Sequence, residues 1–400
     1  MGKVSSKSKY KRSNIKPRVA IISFPWPSYA PYKFLSDVLK ILEPISDNVV
    51  LIDGNTNRIN IPSKKVEVRD IGMSMHHLKD IKPTFYSAIL WITKCVLVQI
   101  KTSLELTKHR KKIDVVMFYV AYPYYPLPLI VAKIFRKKTV EVITRSKHNS
   151  LLPKILSLQD PLLFRLLNGI SPESKALIRE LGLERHKNKI LPEGARFIDV
   201  FHYTVKKKIS ERKNMIGFIG RIRKEKGVVE FVKAIPLVAR ENKDVEFLIG
   251  GSGDLLDWVN AECNKIKDDH GINIAITGWI GANLPNYLNE LKLLVLPTYG
   301  DAFPTIILEA MACGTPVLAT SIGAIPDVIK DGETGFILKN NSPECIAENI
   351  LRALNYRNLD KIVRNARKLV EEKYTYEAAV ERYKAILNKI LEDNRTHAGA

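Results

Sequence analysis

The apolar residues of this 400-residue chain alternate between short runs typical of buried strands and longer stretches with helical periodicity. Such alternation is typical of βα units and parallel sheets. Residues 1–200 predict strands at Val19–Phe24, Val49–Asp53, Val115–Tyr119 and Thr139–Thr144. Residues 201–400 predict strands at Met215–Ile219, Val245–Ile249, Asn273–Thr277, Leu293–Pro297, Pro316–Thr320 and Gly335–Leu338. Helices are predicted at 228–240, 254–269, 304–313, 343–355, 358–372 and 375–394. The pattern predicts an α/β protein with two doubly wound domains that face a cleft, with ligands at the carboxyl ends of the strands.

The length of the chain exceeds what one hydrophobic core usually holds, which also favours two domains. The predicted organisation is a disordered basic arm at 1–17, an N-terminal domain at 18–200, a linker at 201–214, a C-terminal domain at 215–375, and a C-terminal helix and tail at 376–400.

The segment Phe85–Ile100 is nearly apolar over sixteen residues but contains Lys94. It is too short and too polar to span a bilayer comfortably. The pattern favours a helix in the core or between domains. The alternative is a helix that docks on a membrane surface, supported by Trp91 and by basic runs at 108–112 and 136–138.

The formal net charge of +21 is uneven, with +19 in residues 1–200 and +2 in residues 201–400. A basic half predicts a nucleic acid, an anionic membrane surface or a phosphorylated substrate as partner, and the alternative is an ordinary solvated surface. Nucleic acid is the least favoured partner because no regular basic–aromatic alternation is present. The four cysteines are scattered, which fits neither a zinc site nor a disulfide framework. We therefore expect a cytoplasmic protein, or one peripheral to the cytoplasmic face of a membrane.

The loop Gly220–Gly227 lies between a predicted strand and a predicted helix. Its end glycines allow close approach of a ligand, and the following helix start favours an anion. Arg221 offers a planar fork and Lys226 a compact charge, which together can hold a pyrophosphate. The alternative is an ordinary basic loop.

Two carboxylates, Asp301 and Glu309, lie eight positions apart across the start of a short predicted helix. The neighbours of Glu309 at 306–308 and 310–312 are all apolar, so Glu309 is predicted to be buried. A buried carboxylate must be paired or hydrogen-bonded. Its partner is predicted to be a ligand diol or an Arg or Lys side chain.

Several motifs together resemble the nucleotide-binding half of retaining GT-B glycosyltransferases of family 4, the glycosyl transferases of group 1. They are the Gly-Arg-x-x-x-Glu-Lys-Gly loop at 220–227, the acidic-x7-Glu motif at 301–309 with its Ala-Met-Ala-x-Gly-x-Pro-Val continuation, and Asp-Gly-x-Thr-Gly at 331–335. The resemblance covers roughly residues 215–385 and includes the glycine turn at 250–254. It implies the GT-B fold, which consists of two Rossmann-like domains with an interdomain cleft.

The resemblance implies a retaining hexosyltransferase that uses a nucleoside diphosphate (NDP) sugar, with no other cofactor and no metal. In this family pattern Arg221 and Lys226 neutralise the departing diphosphate in place of a divalent metal. Asp301 stands where the family usually has a glutamate that touches hydroxyls of the donor sugar.

The same pattern implies a set of donor-binding residues. Glu309 would bind the ribose hydroxyls, and the backbone N–H groups of Phe303 and Thr305 would hold the sugar or a phosphate. Gly220 and Gly253 would let the backbone approach the nucleotide.

Residues 1–200 match the family less well. Met117 and Tyr119 stand where many relatives have a His-x-His pattern, and the loop at 25–31 lacks the usual glycine pair. Tyr119 keeps a hydroxyl but does not titrate near neutral pH, and His148 is a candidate to compensate. The acceptor-side candidates are therefore Tyr119 and His148, and the predicted acceptor is a lipid-linked or other glycan at the membrane surface. The alternative function is a catalytically degraded relative that binds a nucleotide sugar or acts as a scaffold.

Overall fold

The computed structural model describes residues 16–23, 30–54, 59, 64–73, 85–119, 125–143, 160–192, 194, 196–301 and 303–392, without the side chains of 30–33 and 85–88. The chain divides into two compact units. The first comprises the described residues up to Tyr119 and those from 125 to Val140, and the second comprises the described residues from Glu141 onward. The predicted basic arm falls almost wholly outside the described residues.

The first sheet has six strands in the order β3-β2-β1-β4-β5-β6. Their bounds are β1 Arg18–Ser23, β2 Asn48–Asp53, β3 Val66–Asp70, β4 Val115–Tyr119, β5 Lys138–Ile143 and β6 Gly169–Pro172. β1 pairs in parallel with both β2 and β4, so the strand order reverses beside β1. The four strands predicted in this half are confirmed within one residue at each end.

Two strands of this sheet were not predicted. β3 is an edge strand in which Val66 alone is buried, and three of its five residues are charged. Its pattern therefore lacks the apolar run of a buried strand. β6 has only four residues and begins at a glycine, so its apolar signal is too short to recognise.

The second sheet also has six strands, in the order β12-β11-β10-β7-β8-β9. Their bounds are β7 Met215–Ile219, β8 Glu246–Gly250, β9 Ile274–Gly278, β10 Leu293–Leu296, β11 Val317–Thr320 and β12 Phe336–Leu338. β7 pairs in parallel with β8 and β10, which places the reversal of strand order at β7. All six strands predicted in this half are confirmed within one residue, and the predicted α/β class with two doubly wound sheets is confirmed. Loops at the carboxyl ends of β7 and β10 lie at the point where such sheets usually bind ligands.

Helices flank both sheets. In the first half they are α1 Ala30–Leu42, α2 Phe85–His109, α3 Pro126–Ile134, α4 Asp160–Leu166 and α5 Lys175–Glu180. In the second half they are α6 Val228–Glu241, α7 Leu256–His270, α8 Leu284–Glu290, α9 Thr305–Ala312, α10 Ile325–Val328, α11 Pro343–Leu354, α12 Leu359–Lys373 and α13 Tyr376–Glu392. The helices predicted in the second half are all present.

The apolar segment predicted at 85–100 extends to His109 as α2. One side of α2 is buried through Cys95, Val98 and Leu106. Six large apolar side chains on the helix are exposed, namely Ile89, Ile92, Val96, Leu97, Ile100 and Leu104. One side of α2 is thus buried, as a core helix requires, and the other side is exposed. Among the described helices, none combines the length and the apolar character needed to cross a bilayer.

The segment predicted as a linker carries a buried arginine. Arg212 is 4% exposed, and its guanidinium donates to the backbone carbonyls of Lys207, Leu288, Leu291 and Cys313 and to the hydroxyl of Thr315. Burial lowers the pKa of Arg212 to about 10. This network fixes the segment before β7 to the loops around α8 and α9.

Candidate functional site

Two loops of the second unit are joined at the carboxyl ends of their strands. The carbonyl of Glu225, after β7, accepts hydrogen bonds from the Tyr299 N–H at 2.9 Å and the Thr298 hydroxyl at 3.0 Å, after β10. Gly227 has a φ of +73°, and a Cβ atom there would lie 1.9 Å from the carbonyl oxygen of Pro297. Only glycine fits this contact, because any side chain would collide with backbone. The two sequence motifs are therefore in direct contact.

The joined loops bring Lys226 and Asp301 together. The Lys226 ammonium forms an ion pair with the Asp301 carboxylate, and the two side chains are only 12% and 22% exposed. Partial exclusion of water strengthens the attraction relative to a surface pair. The sequence predicted both residues for the site, but it did not predict that they contact each other. Asp301 was expected to face donor-sugar hydroxyls, and in the structure its carboxylate pairs with Lys226.

Arg221 lies two residues beyond β7 and is exposed. It forms no ion pair with any other residue that the structure describes. A guanidinium in this position is available to an incoming anion. Arg221 and Lys226 thus provide two cations on one short loop.

The glycine turn after β8 packs against the same loop. The Gly220 N–H donates to the carbonyl of Gly250, and the Ile222 N–H donates to that of Ser252, both at 2.9 Å. A Cβ atom on Gly253 would lie 2.3 Å from the carbonyl oxygen of Ile222. The absence of a side chain at Gly253 is thus required for the packing of the two loops.

Glu309 is 6% exposed in the middle of α9. The hydroxyl of Tyr203 donates a hydrogen bond to its Oε1 atom at 3.0 Å. Burial, and next the charge of Glu309, raise the pKa of Tyr203, so this hydroxyl remains a donor. One protein partner of Glu309 is thus a tyrosine, which the sequence did not predict for this role. No sequence pattern identified Tyr203, which lies in a polar segment without periodicity.

Phe303 and Thr305 lie on either side of the start of α9. Pro304 occupies the N-cap position with φ −72° and ψ 110°, so the helix begins one residue later than predicted. No side chain caps this end, which leaves N–H groups of the first turn without an intrahelical acceptor. The Phe303 ring is buried, with its centroid 5.8 Å from that of Tyr374.

A cavity of about 300 Å³ lies next to Phe303 within the second unit. It is lined by Glu173, Gly194, Arg196, Phe303, Glu372, Lys373, Tyr374, Ala378 and Arg382. Glu173 pairs with Arg196, with 3.2 Å between Oε1 and Nε. Burial raises the pKa of Glu173, Arg196 opposes that rise, and the negative charge of Asp301 adds to it. No sequence pattern selected Glu173 or Arg196 for the site, although Glu173 follows β6 at a strand-to-helix turn.

The acceptor-side candidates lie elsewhere in the chain. Tyr119 is the last residue of β4 in the first unit and is 6% exposed, with its ring centroid 5.9 Å from that of Phe34. His148 lies outside the described residues. Within the described part of the chain, no group of three His, Cys, Asp or Glu side chains is placed to hold a metal ion.

The second half of the chain matches a known protein family. Residues 213–356 match the family model described as "Glycosyl transferases group 1". An uncharacterized glycosyltransferase of Methanocaldococcus jannaschii, MJ1607, is 30% identical over 171 residues, which are 42% of this chain and 43% of the relative. The capsular polysaccharide biosynthesis glycosyltransferase CapM of Staphylococcus aureus is 28% identical over 181 residues, 45% of this chain and 47% of the relative. The chain thus spans less than half the length of these two curated relatives.

The fold of the whole chain resembles that of a solved structure. The crystal structure of HepE from Anabaena in complex with UDP superposes with a TM-score of 0.69 at 17% identity, and the match covers 93% of this chain and 99% of HepE. This similarity confirms the GT-B fold that the motifs predicted.

Proposed function

We propose that this chain is a glycosyltransferase of group 1 with the GT-B fold, the family that its residues 213–356 match. The chain transfers a hexosyl unit from an NDP-sugar to an acceptor, with retention of configuration at the anomeric carbon. The observation that carries this proposal is the Lys226–Asp301 ion pair, held beside Arg221 by the joined loops after β7 and β10. HepE was solved with UDP, which supports a nucleoside diphosphate as the ligand of this fold.

The donor binds through groups of the second unit. Arg221 and Lys226 hold the diphosphate, because a planar fork and a compact ammonium together match its oxygens. Glu309 accepts hydrogen bonds from the ribose hydroxyls. The hydrogen bond from Tyr203 fixes the orientation of this carboxylate. The backbone N–H groups of Phe303, just before α9, and of Thr305, its first residue, hold the sugar or a phosphate.

The chemical step follows from where charge develops. The bond between the anomeric carbon and the phosphate oxygen breaks, so negative charge grows on the diphosphate and positive charge on the sugar. Lys226 and Arg221 stabilise the leaving diphosphate, the role that a divalent metal has in other transferases. The Asp301 carboxylate orients the ammonium group of Lys226 through their ion pair. It also accepts a hydrogen bond from a donor-sugar hydroxyl. The acceptor oxygen bonds to the anomeric carbon on the face that the diphosphate leaves, and its proton passes to a phosphate oxygen.

The acceptor is an anionic or lipid-linked glycan held by the basic half of the chain at a membrane surface. Residues 1–200 carry the +19 that would attract such a substrate. Tyr119 supplies a hydroxyl on this side. A relative that only binds the nucleotide sugar is the less favoured alternative, because the cations and the two carboxylates of the donor site are all present.

The test is release of the nucleotide from the donor. The chain is incubated with UDP-, GDP- and ADP-glucose, and the released diphosphate is measured by chromatography, with water as a slow acceptor. We expect release from one donor and its loss in Lys226→Gln, while Lys224→Gln, which changes an exposed lysine of the same turn, retains it. Retention is read from the anomeric proton of the first product by NMR. Equal release by the two variants, or release from no donor, would contradict the proposal.

A further inference from the structure

The helices α2 and α3 form one exposed apolar surface in the first unit. They pack against each other, and the Leu127 N–H at the start of α3 donates to Oε1 of Gln99 in α2 at 3.1 Å. Besides the six exposed apolar residues of α2 named above, α3 exposes Leu127, Ile130 and Ile134. We call these nine side chains the α2–α3 face. The described residues have sixteen large exposed apolar side chains, and more than half of them lie on this face.

The face has the periodicity of an amphipathic surface. On α2, five of the exposed apolar positions recur at intervals of three or four residues, namely Ile89, Ile92, Val96, Ile100 and Leu104, and Leu97 is the sixth. On α3 they recur at three and four residues from Leu127 to Ile134. Ile134 is 69% exposed and Leu104 is 56% exposed. Single exposed apolar residues are ordinary, but a continuous set of this size marks an interaction surface.

The segment that contains α2 and α3 is rich in positive charge. Residues 85–138 contain ten Lys or Arg and only two acids, Glu105 and Asp114. Both acids are already paired, Glu105 with Lys108 and Asp114 with Arg18, each at 2.6 Å. The basic runs after α2 and α3 include Lys111 and Arg136, which are exposed.

We infer that the α2–α3 face docks on an anionic lipid surface. The apolar residues enter the boundary between headgroups and acyl chains, while the surrounding lysines and arginines contact the lipid phosphates. A second copy of the chain is a poor occupant, because a two-fold contact would bring two basic surfaces together. The inference deepens the proposed function, since it names the surface through which the chain would reach a lipid-linked acceptor.

The test is flotation of the full chain with vesicles. The vesicles are phosphatidylcholine alone or phosphatidylcholine mixed with phosphatidylglycerol. We expect binding to the mixed vesicles, weakened by salt because screening acts on the basic residues. The double variant Ile92→Ser, Leu97→Ser should lower the partition coefficient at least tenfold, since it removes two half-exposed apolar side chains that enter the lipid boundary. The matched control Leu162→Ser, Leu166→Ser changes two exposed leucines of α4 and should bind as the wild type does.

A second variant tests the charge without touching the apolar side chains. Lys111→Glu with Arg136→Glu alters two exposed residues and should also abolish most binding to the mixed vesicles. Binding that survives in both variants, or falls equally in the α4 control, overturns the inference. A dimer that the Ile92/Leu97 variant dissociates, without any vesicle binding by the wild type, also overturns it. Flotation needs neither a donor nor turnover. Failure of the membrane inference is therefore distinguishable from failure of the transferase proposal.

Discussion

Gly227→Ala tests the contact that joins the two loops of the donor site. The added Cβ would lie 1.9 Å from the Pro297 carbonyl oxygen, far inside van der Waals contact, and the φ of +73° disfavours alanine as well. Gly271→Ala is a matched control, because Gly271 has a φ of +65° and a Cβ added there would meet no atom within 4 Å. The two variants share the left-handed backbone and differ in the collision.

The expected losses of stability follow from the left-handed backbone, which both variants share, and from the collision, which only Gly227→Ala has. The left-handed conformation costs an alanine about 1–2 kcal/mol, which is the whole expected effect at Gly271. Relief of the collision at Gly227 requires movement of packed backbone, for which overpacking adds about 1–3 kcal/mol. For a unit of this size each kcal/mol lowers the melting temperature by about 2–4 °C.

The assay is thermal unfolding followed by circular dichroism, with and without nucleotide. Gly227→Ala should melt well below Gly271→Ala and should bind nucleoside diphosphates more weakly, because Lys226 is displaced from Asp301. Equal melting temperatures for the two variants would refute the contact, and undiminished nucleotide affinity would refute its role in placing Lys226.

Three further predictions concern individual side chains. Tyr203→Phe removes the hydrogen bond to Glu309, and since bonds to charged groups contribute about 1.5–3 kcal/mol to stability, the free energy of unfolding from urea denaturation should fall by about that amount, and an unchanged value would contradict this. Arg212→Lys leaves several buried carbonyls without a donor and should lower the urea midpoint of the second unit by the equivalent of about 2–4 kcal/mol, and an unchanged midpoint would contradict this. Lys226→Gln should lower turnover about 100-fold or more, whereas Lys224→Gln should keep it, and similar rates would remove Lys226 from the mechanism.

The sequence predicted four strands of the first sheet and all six of the second, because their buried runs are apolar and bounded by polar turns. It missed β3, since an edge strand buries only Val66 and gives no apolar run. It also missed β6, which has only four residues. It left open whether α2 lies in the core or on the surface, because burial of one side and exposure of the other depend on what packs against the helix. The local sequence pattern therefore predicts which runs form buried strands, but it does not show which side of a helix is covered by the rest of the fold.

In the candidate site, too, the sequence predicted individual residues but not the contacts between them. Lys226 and Asp301 were both selected from their motifs, but their contact joins residues 75 positions apart and depends on how two loops meet. Tyr203 gave no signal, because a lone tyrosine in a polar segment carries no pattern. Its position against Glu309 results from the path of the segment before β7.

Binding of nucleoside diphosphates tests the central claim most directly. The melting temperature of the wild type is measured with UDP, GDP and ADP and compared with that of Glu309→Gln and Lys226→Gln. We predict that one nucleotide stabilises the wild type, with a shift that grows with its concentration, and that both variants lose most of that shift. The absence of a shift with any of the three nucleotides, or an equal shift in all three proteins, would contradict the assignment of the donor site.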